Sequence, residues 1–366
     1  MSIALPEAVL RLSDLPSRAP RLQLLVNGQA IPSVIGAEIR SNNHYAADRF
    51  SASIALGAVG VPDGQFWAGE VDIRAEVQVS LDEGETFVSL IQGAVDFVDI
   101  DPVANVVHIE GRDRSAALIE ARTQEVFANR TSSEIATLLA ERHGLIPLVK
   151  PTATPVGRYY QNEHDSITLD QFSRSTTEWD LLAFLARQES FDVFVQGSNL
   201  YFQPATAGRD NMAYLAASDL IDLRLMRSLT LARDIQVSVK SWNSNRNSAF
   251  VEEARAACGA AGDGLPMQRY VFVRPNLSSS DALRLAHLKL AELTRHERIV
   301  EMTMPGDLTL TPRSVIALRG TGSDFDQAYY VDVIERRVCL DRGFTQRIRA
   351  CNTSPRSESI LPDVAS

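Results

Sequence analysis

The sequence predicts an α+β chain, mainly β, with two antiparallel β-rich regions around a helix-containing middle. Three observations predict it. Apolar residues alternate at period two through the first third, as in Val71, Ile73, Ala75, Val77, Val79 and Leu81, which marks a half-buried strand. Similar strand runs return between residues 299 and 351. Between these regions the spacing becomes helical and capping signals appear.

The first strands read as Leu22 to Val26 before an Asn27-Gly28 turn, then Phe50 to Leu56. Asp82-Glu83-Gly84-Glu85 turns the long alternating strand into Thr86 to Ile91, and Gly93 to Ile100 and Val106 to Glu110 follow. Many short strands at close spacing suggest a barrel or sandwich. Past Gly111-Arg112-Asp113 the pattern changes. Thr131 and Glu134 have capping-box spacing, Ile135, Leu138 and Leu139 form a stripe, and Gly144 is placed to stop the helix. Ser175 with Glu178, and Thr177 with Asp180, have the same capping spacing. Trp179, Leu182, Leu185 and Ala186 share one helical stripe. Phe191, Val193 and Val195 then alternate, and Gln196-Gly197-Ser198-Asn199 turns the chain into Leu200-Tyr201-Phe202. Ile235, Val237 and Val239 alternate until Trp242 shifts parity, as a bulge would. Residues 280–293 read as a helix, and turns at Pro305-Gly306-Asp307 and Gly320-Thr321-Gly322 punctuate the last strands.

With 366 residues the chain divides into two or three domains. Its net charge of −10 argues against tight general DNA binding, because phosphate affinity comes from Lys and Arg. Cys258, Cys339 and Cys351 form no CxxC pair, so neither a zinc site nor a disulfide framework is expected. Met1 to Leu10 lacks a basic signal-peptide start. No apolar run approaches the roughly 20 residues that cross a bilayer.

The motifs resemble the phage late control D family in their order. These are Mu-type baseplate hub proteins of tailed phages, similar to the hub part of type VI secretion spike proteins. The residues carrying the resemblance are Gly111, Arg112 and Asp113; the helix start Trp179, Asp180, Leu181 and Leu182; the strand start Phe191; the turn Gly197; and Trp242 in Val237 to Asn243. Thr131 to Leu145 and Gly343-Phe344-Thr345 also fit.

The resemblance implies two tail-tube-like antiparallel β-barrels, although no sequence repeat links the two β-rich regions. It implies a first barrel over 1–113, a mixed α/β middle domain over 114–228 and 244–298, and a second, discontinuous barrel over 229–243 and 299–352. A loose tail fills 353–366. The implied function is a structural, trimeric adaptor that joins the sixfold tail tube to the threefold central spike. Implied partners are a tail tube or distal tail protein, the spike, the tape measure protein and baseplate wedge proteins. DNA passes only in transit, and no membrane insertion is expected. The implied location is the virion tail baseplate, after synthesis in the bacterial host cytoplasm. Alternatives are a tail-associated cell-wall hydrolase, which a zymogram would reveal, and the hub of a phage-derived contractile injection system.

No catalytic, cofactor or metal residues are assigned. Glu163-His164-Asp165-Ser166 has triad residue types, but triads are built by spatial geometry, not adjacency. Glu178 and Asp180 fall in a first helical turn, where acids complement the dipole. The six histidines show no HxH or HExxH spacing. Trp179 and Trp242 read as core aromatics. A channel that passes DNA should not hold it, so candidates for an acidic lining are Asp82, Glu83, Glu85, Asp96, Asp99 and Asp101.

Overall fold

In a computed structural model, the structure describes residues 19–43, 45–81, 86–122, 125, 127, 130–153, 155–156, 177–205, 212–229, 231, 234–243, 248–256, 267–274 and 277–352. The first half contains β1 (Arg21–Val26), β2 (Gln29–Ile31), β3 (Val34–Asn42), β4 (Arg49–Ala55), α1 (Gly64–Gly69), β5 (Arg74–Ser80), β6 (Val88–Asp101) and β7 (Val106–Asp113). Alternation sends Ala75, Val77 and Val79 of β5 inward, with Ile73 just before it. Val71 was expected in the same strand but lies exposed ahead of it. Leu24, Ile39, Ile54, Val107 and Ile109 complete one core around Trp67 of α1. Asn27 and Gly28 both take positive φ in the β1–β2 turn.

The middle consists of α2 (Ala116–Glu120), β8 (Arg130–Thr131), α3 (Ser132–Arg142), β9 (Ile146–Val149), β10 (Pro155–Val156), α4 (Glu178–Glu189), β11 (Phe191–Gln196) and β12 (Asn199–Pro204). The two longer helices, α3 and α4, start with capping boxes, Thr131 with Glu134 and Thr177 with Asp180. The alternative cap Ser175 lies outside the described residues. β11 and β12 form the expected hairpin, and β9 joins β12 in parallel. Leu139, Trp179, Leu182, Leu185, Leu200 and Phe202 pack one core between helices and sheet.

The second half begins with β13 (Met212–Ala216) and β14 (Asp222–Arg227). Then comes β15 (Ile235–Asn243), β16 (Ser248–Ala256), β17 (Gln268–Val273) and α5 (Ser279–Thr294). The half resumes with β18 (Arg298–Pro305), β19 (Val315–Arg319), β20 (Ala328–Cys339) and β21 (Gly343–Asn352). Residues 229–243 were grouped with 299–352, whereas β15 pairs with β16 and β17. That sheet buries Ile235, Val237 and Val239 against Ala282, Ala286 and Leu290 of α5. β13 and β14 pair with the later strands instead. Alternation identifies a strand but not the sheet it joins. Nor is there a bulge at Trp242, because the β15–β16 register runs unbroken.

The two halves repeat one topology. In chain order the first half supplies β1, β3, β4, β5, β6 and β7, and the second β13, β14, β18, β19, β20 and β21. Each set pairs along the path second–third–sixth–fifth–fourth–first. Five of the six strands agree in direction as well. The outermost differs: β1 is antiparallel to β5, but β13 is parallel to β19. A register shift falls at the same point of each fifth strand, between Val95 and Phe97 in β6 and between Val331 and Val333 in β20. The skipped residue is an aspartate both times, Asp96 and Asp332.

Past its bulge, β20 leaves β19 and pairs with β3, from Val333↔Asn42 to Cys339↔Gly36. That joint fuses both halves into one 13-stranded sheet, while each half keeps its own core.

Candidate functional site

The three bodies meet around a cavity of about 30 Å³, room for roughly one water. The first half contributes Asn42, Tyr45, Asp48 and Asp113; the middle contributes Trp179, Asp192 and Phe194; the second half contributes Arg313. Trp179 Nε1 donates to the Tyr45 carbonyl at 2.9 Å, and the Arg187 guanidinium lies 4.8 Å from the Tyr45 ring centre. The Arg313 guanidinium stacks 3.3 Å over Phe194, and its buried Nε has no hydrogen-bond partner among the described residues.

Burial drives the titration of this cluster. The Asp113 carboxyl is pushed up to about 7 by desolvation and then by the Asp48 charge, against opposing hydrogen bonds from Ser115. Desolvation also raises Asp48, despite hydrogen bonds from Asn42 and Ser41. It lowers Arg313 to about 10, with Asp192, Asp48 and Asp113 opposing. The junction therefore holds two acids, Asp48 and Asp113, raised above the ordinary carboxyl range beside a guanidinium that stays charged at neutral pH.

The motif residues have distinct places. Gly111 and Arg112 close β7, and Asp113 turns from it into α2 through Ser115. A Cβ on Gly111 would sit 2.2 Å from the Ala94 carbonyl oxygen and 2.4 Å from the Phe50 ring, so only glycine fits. Arg112 clasps Asp96 at 2.6 Å, and hydrogen bonding to Asp96 and Glu120 raises its pKa. Trp179 is 4% exposed, while Leu181 and Leu182 are buried beside it. Asp180 caps α4. Phe191 packs at a tilt on Phe202, and Gly197 takes the positive φ of the hairpin turn. Trp242, expected in a core, is 45% exposed. It shares a face of β15 with Lys240, opposite the buried face of Val237 and Val239.

Of the acidic candidates, Asp96, Asp99 and Asp101 are exposed along β6. Asp82, Glu83 and Glu85 lie outside the described residues, as does Glu163 to Ser166. The same sheet face carries Arg40, Arg49 and Arg112 in one cross-strand row, so it is mixed in charge rather than uniformly acidic. Glu178 is buried, with its carboxylate 2.6 Å from His143 Nε2 and also paired with Arg142. This is a structural tie between α3 and α4.

Among the described residues one group has metal-ligand types: His296, Asp332 and Cys351, with ligand atoms within 4.8 Å of one another. The Arg295 guanidinium already sits there. Its Nε donates to Cys351 Sγ at 3.3 Å, and its Nη2 lies 3.5 Å from Asp332. Burial, then the Asp332 charge, push the Cys351 thiol up to about 12, which disfavours the thiolate that binds metal.

Arg313, Asp48 and Tyr45 were not singled out from the sequence. Each lies in a connection between strands, and nothing in Thr311-Pro312-Arg313-Ser314 foretells a buried guanidinium.

No family model and no curated protein matches the sequence. Solved structures do, and they define a class: the fold is that of prophage tail proteins. The 43 kDa tail protein of prophage MuSo2 from Shewanella oneidensis matches with a TM-score of 0.66 at 15% identity, over 92% of this chain and 99% of that one. The tail protein from Neisseria meningitidis MC58 matches with a TM-score of 0.65 at 12% identity, over 92% and 99%. A component of the E. coli type VI secretion system, itself structurally similar to T4 bacteriophage tail proteins gp27 and gp5, matches at 0.52 and 13% identity, over 92% of this chain and 77% of that one.

Proposed function

We propose that the chain is the structural hub of a phage tail baseplate. Three copies join a sixfold tail tube to a threefold central spike and form part of the DNA channel. The duplicated topology supports this reading most directly. Two equivalent sheet units per chain give six in a trimer, so one face can match sixfold symmetry while the chain count matches three. The tail tube or distal tail protein, the spike, the tape measure protein and the wedge proteins are the partners of such a hub. Its exposed acids Asp96, Asp99 and Asp101 are candidates for a lining that lets DNA pass without holding it. No catalytic step is assigned to any residue.

Native mass measurement of the assembled tail tip tests the reading. Three copies are expected, and one or six would overturn it. A hub of a phage-derived contractile injection system is the second reading, favoured by the type VI secretion neighbour. Co-purification with a contractile sheath rather than a virion tail distinguishes the two.

A further inference from the structure

The joint between the two halves is made by one strand pair, and the chain carries the same two strand positions a second time, not paired to each other among the described residues. Within the chain, the fifth strand of the second half, β20, passes its bulge at Asp332 and pairs with β3, the second strand of the first half. The fifth strand of the first half is β6. It pairs with β5 only as far as Ala94, and past its bulge at Asp96 its one strand partner among the described residues is β7. The second strand of the second half is β14, which pairs with β18 and ends the sheet.

Among the described residues neither edge has a strand partner. Phe97 of β6 is 59% exposed, and Leu225 and Met226 of β14 are exposed. An edge strand with apolar side chains and no proline is a template for strand addition.

We propose that β14 of one copy pairs antiparallel with residues 97–101 of β6 in the next copy, repeating between chains the β3–β20 joint within one. The proposal rests on the hub reading and names the surface that would build its ring.

The register transfers residue by residue. Ile39↔Phe50↔Gly111 corresponds to Leu225↔Val300↔Ala350 across the two sheets. Glu335↔Arg347 corresponds to Asp99↔His108, each three residues past the bulge aspartate. The internal pair Glu335↔Arg40 therefore becomes Asp99 opposite Met226. Arg336↔Ile39 becomes Ile100 opposite Leu225. Arg337↔Glu38 becomes Asp101 opposite Arg224, with the charges exchanged.

Charge favours a second copy as the occupant. Residues 19–113 hold five Arg and fourteen Asp or Glu, whereas 212–229 with 298–352 hold ten Arg and nine acids. Arg224 has no carboxylate partner among the described residues. Acid-rich β6 against arginine-bearing β14 is complementary, while β6 against β6 sets aspartates together. The contact is head-to-tail, and such contacts form a ring when the rotation between copies closes and a filament when it does not.

Cysteine pairing tests this. Two full-length variants, Asp99→Cys and Met226→Cys, are oxidised alone, mixed, and combined in one chain, with unfolding midpoints confirming that each is folded. The mixture is expected to give a disulfide-linked dimer that neither variant gives alone, and the combined chain a ladder ending at three copies. Asp99→Cys with Arg224→Cys should link roughly tenfold more slowly, because diagonal neighbours lie about 7–8 Å apart. Linking by either variant alone, or faster linking by the offset pair, overturns the proposal. A trimer by mass without the linkage overturns it but leaves the hub reading standing. A chain that is monomeric at every concentration, and on isolated tails, overturns both.

Discussion

The two halves of the sheet follow one path with different sequences, and the differences sit at the rims. Between its second and third strands the first half has only residues 43–48. At the same point the second half inserts β15, β16, β17 and α5, with a core of their own. The innermost strands tolerate none of this, because each is hydrogen-bonded on both sides. The outermost position accepts a strand in either direction, β1 antiparallel and β13 parallel. A path of five strands is thus compatible with almost any residues that keep the inward alternation.

The bulges sharpen the comparison. Asp96 and Asp332 both mark where the fifth strand parts from the fourth, and each is met by an arginine, Arg112 and Arg295 respectively. The first is near the surface, whereas Asp332 is buried. One bulge turns its strand toward an open edge, and the other turns it into the joint.

The largest expected effect separates both halves from the middle that ties them together. Trp179→Ala should cost about 3–5 kcal/mol in urea unfolding, since the ring is buried and its Nε1 holds the Tyr45 carbonyl. A fully stable variant that fails to assemble would make Trp179 an interface residue instead.

Next come the equivalent pair Ile39 and Leu225. Ile39→Ala should cost about 2–5 kcal/mol, because Ile39 is fully buried beside the joint. Leu225→Ala should lower the isolated chain's stability by well under about 1 kcal/mol, because Leu225 is exposed. Equal losses would show that β14 is already covered.

Gly111 and Ala350 occupy equivalent places on the sixth strands. Gly111→Ala should cost about 1–3 kcal/mol by forcing Phe50 and β6 apart. Ala350→Gly should cost only about 0.5–1 kcal/mol. Melting curves of the two variants check the asymmetry.

The junction should answer to pH. Asp113 rises from 3.8 to about 7 on folding, so the stability tied to its protonated form is complete below about pH 4 and is lost as pH rises through 7. Asp113→Asn should flatten that part of the stability–pH curve. An unchanged slope would place the titration elsewhere. The smallest effect belongs to the Arg40–Glu335 pair, 3.3 Å apart and largely exposed at the joint. Its loss should cost about 0.2–1 kcal/mol, and high salt should erase the difference.

Much of this was legible in the residues themselves. The capping boxes at Thr131 and Thr177, the Trp179 helix, the Phe191 hairpin and most strands follow from local spacing, because turn, cap and alternation are set by a few neighbours. Order along the chain pointed to a tail-protein fold, which the solved structures share. Sheet membership was not legible. Nothing local in β14 or β15 names its sheet, and only packing against β18 or α5 separates them. Trp242 looked like core because its face depends on which side α5 covers. The doubled path left no sequence repeat, since many residues satisfy the same alternation. The charged junction of Asp48, Asp113, Asp192 and Arg313 draws on positions up to hundreds of residues apart. The shifted protonation of Asp48, Asp113 and Arg313 exists only once the three bodies meet, because the groups lose water there and nowhere along the isolated segments.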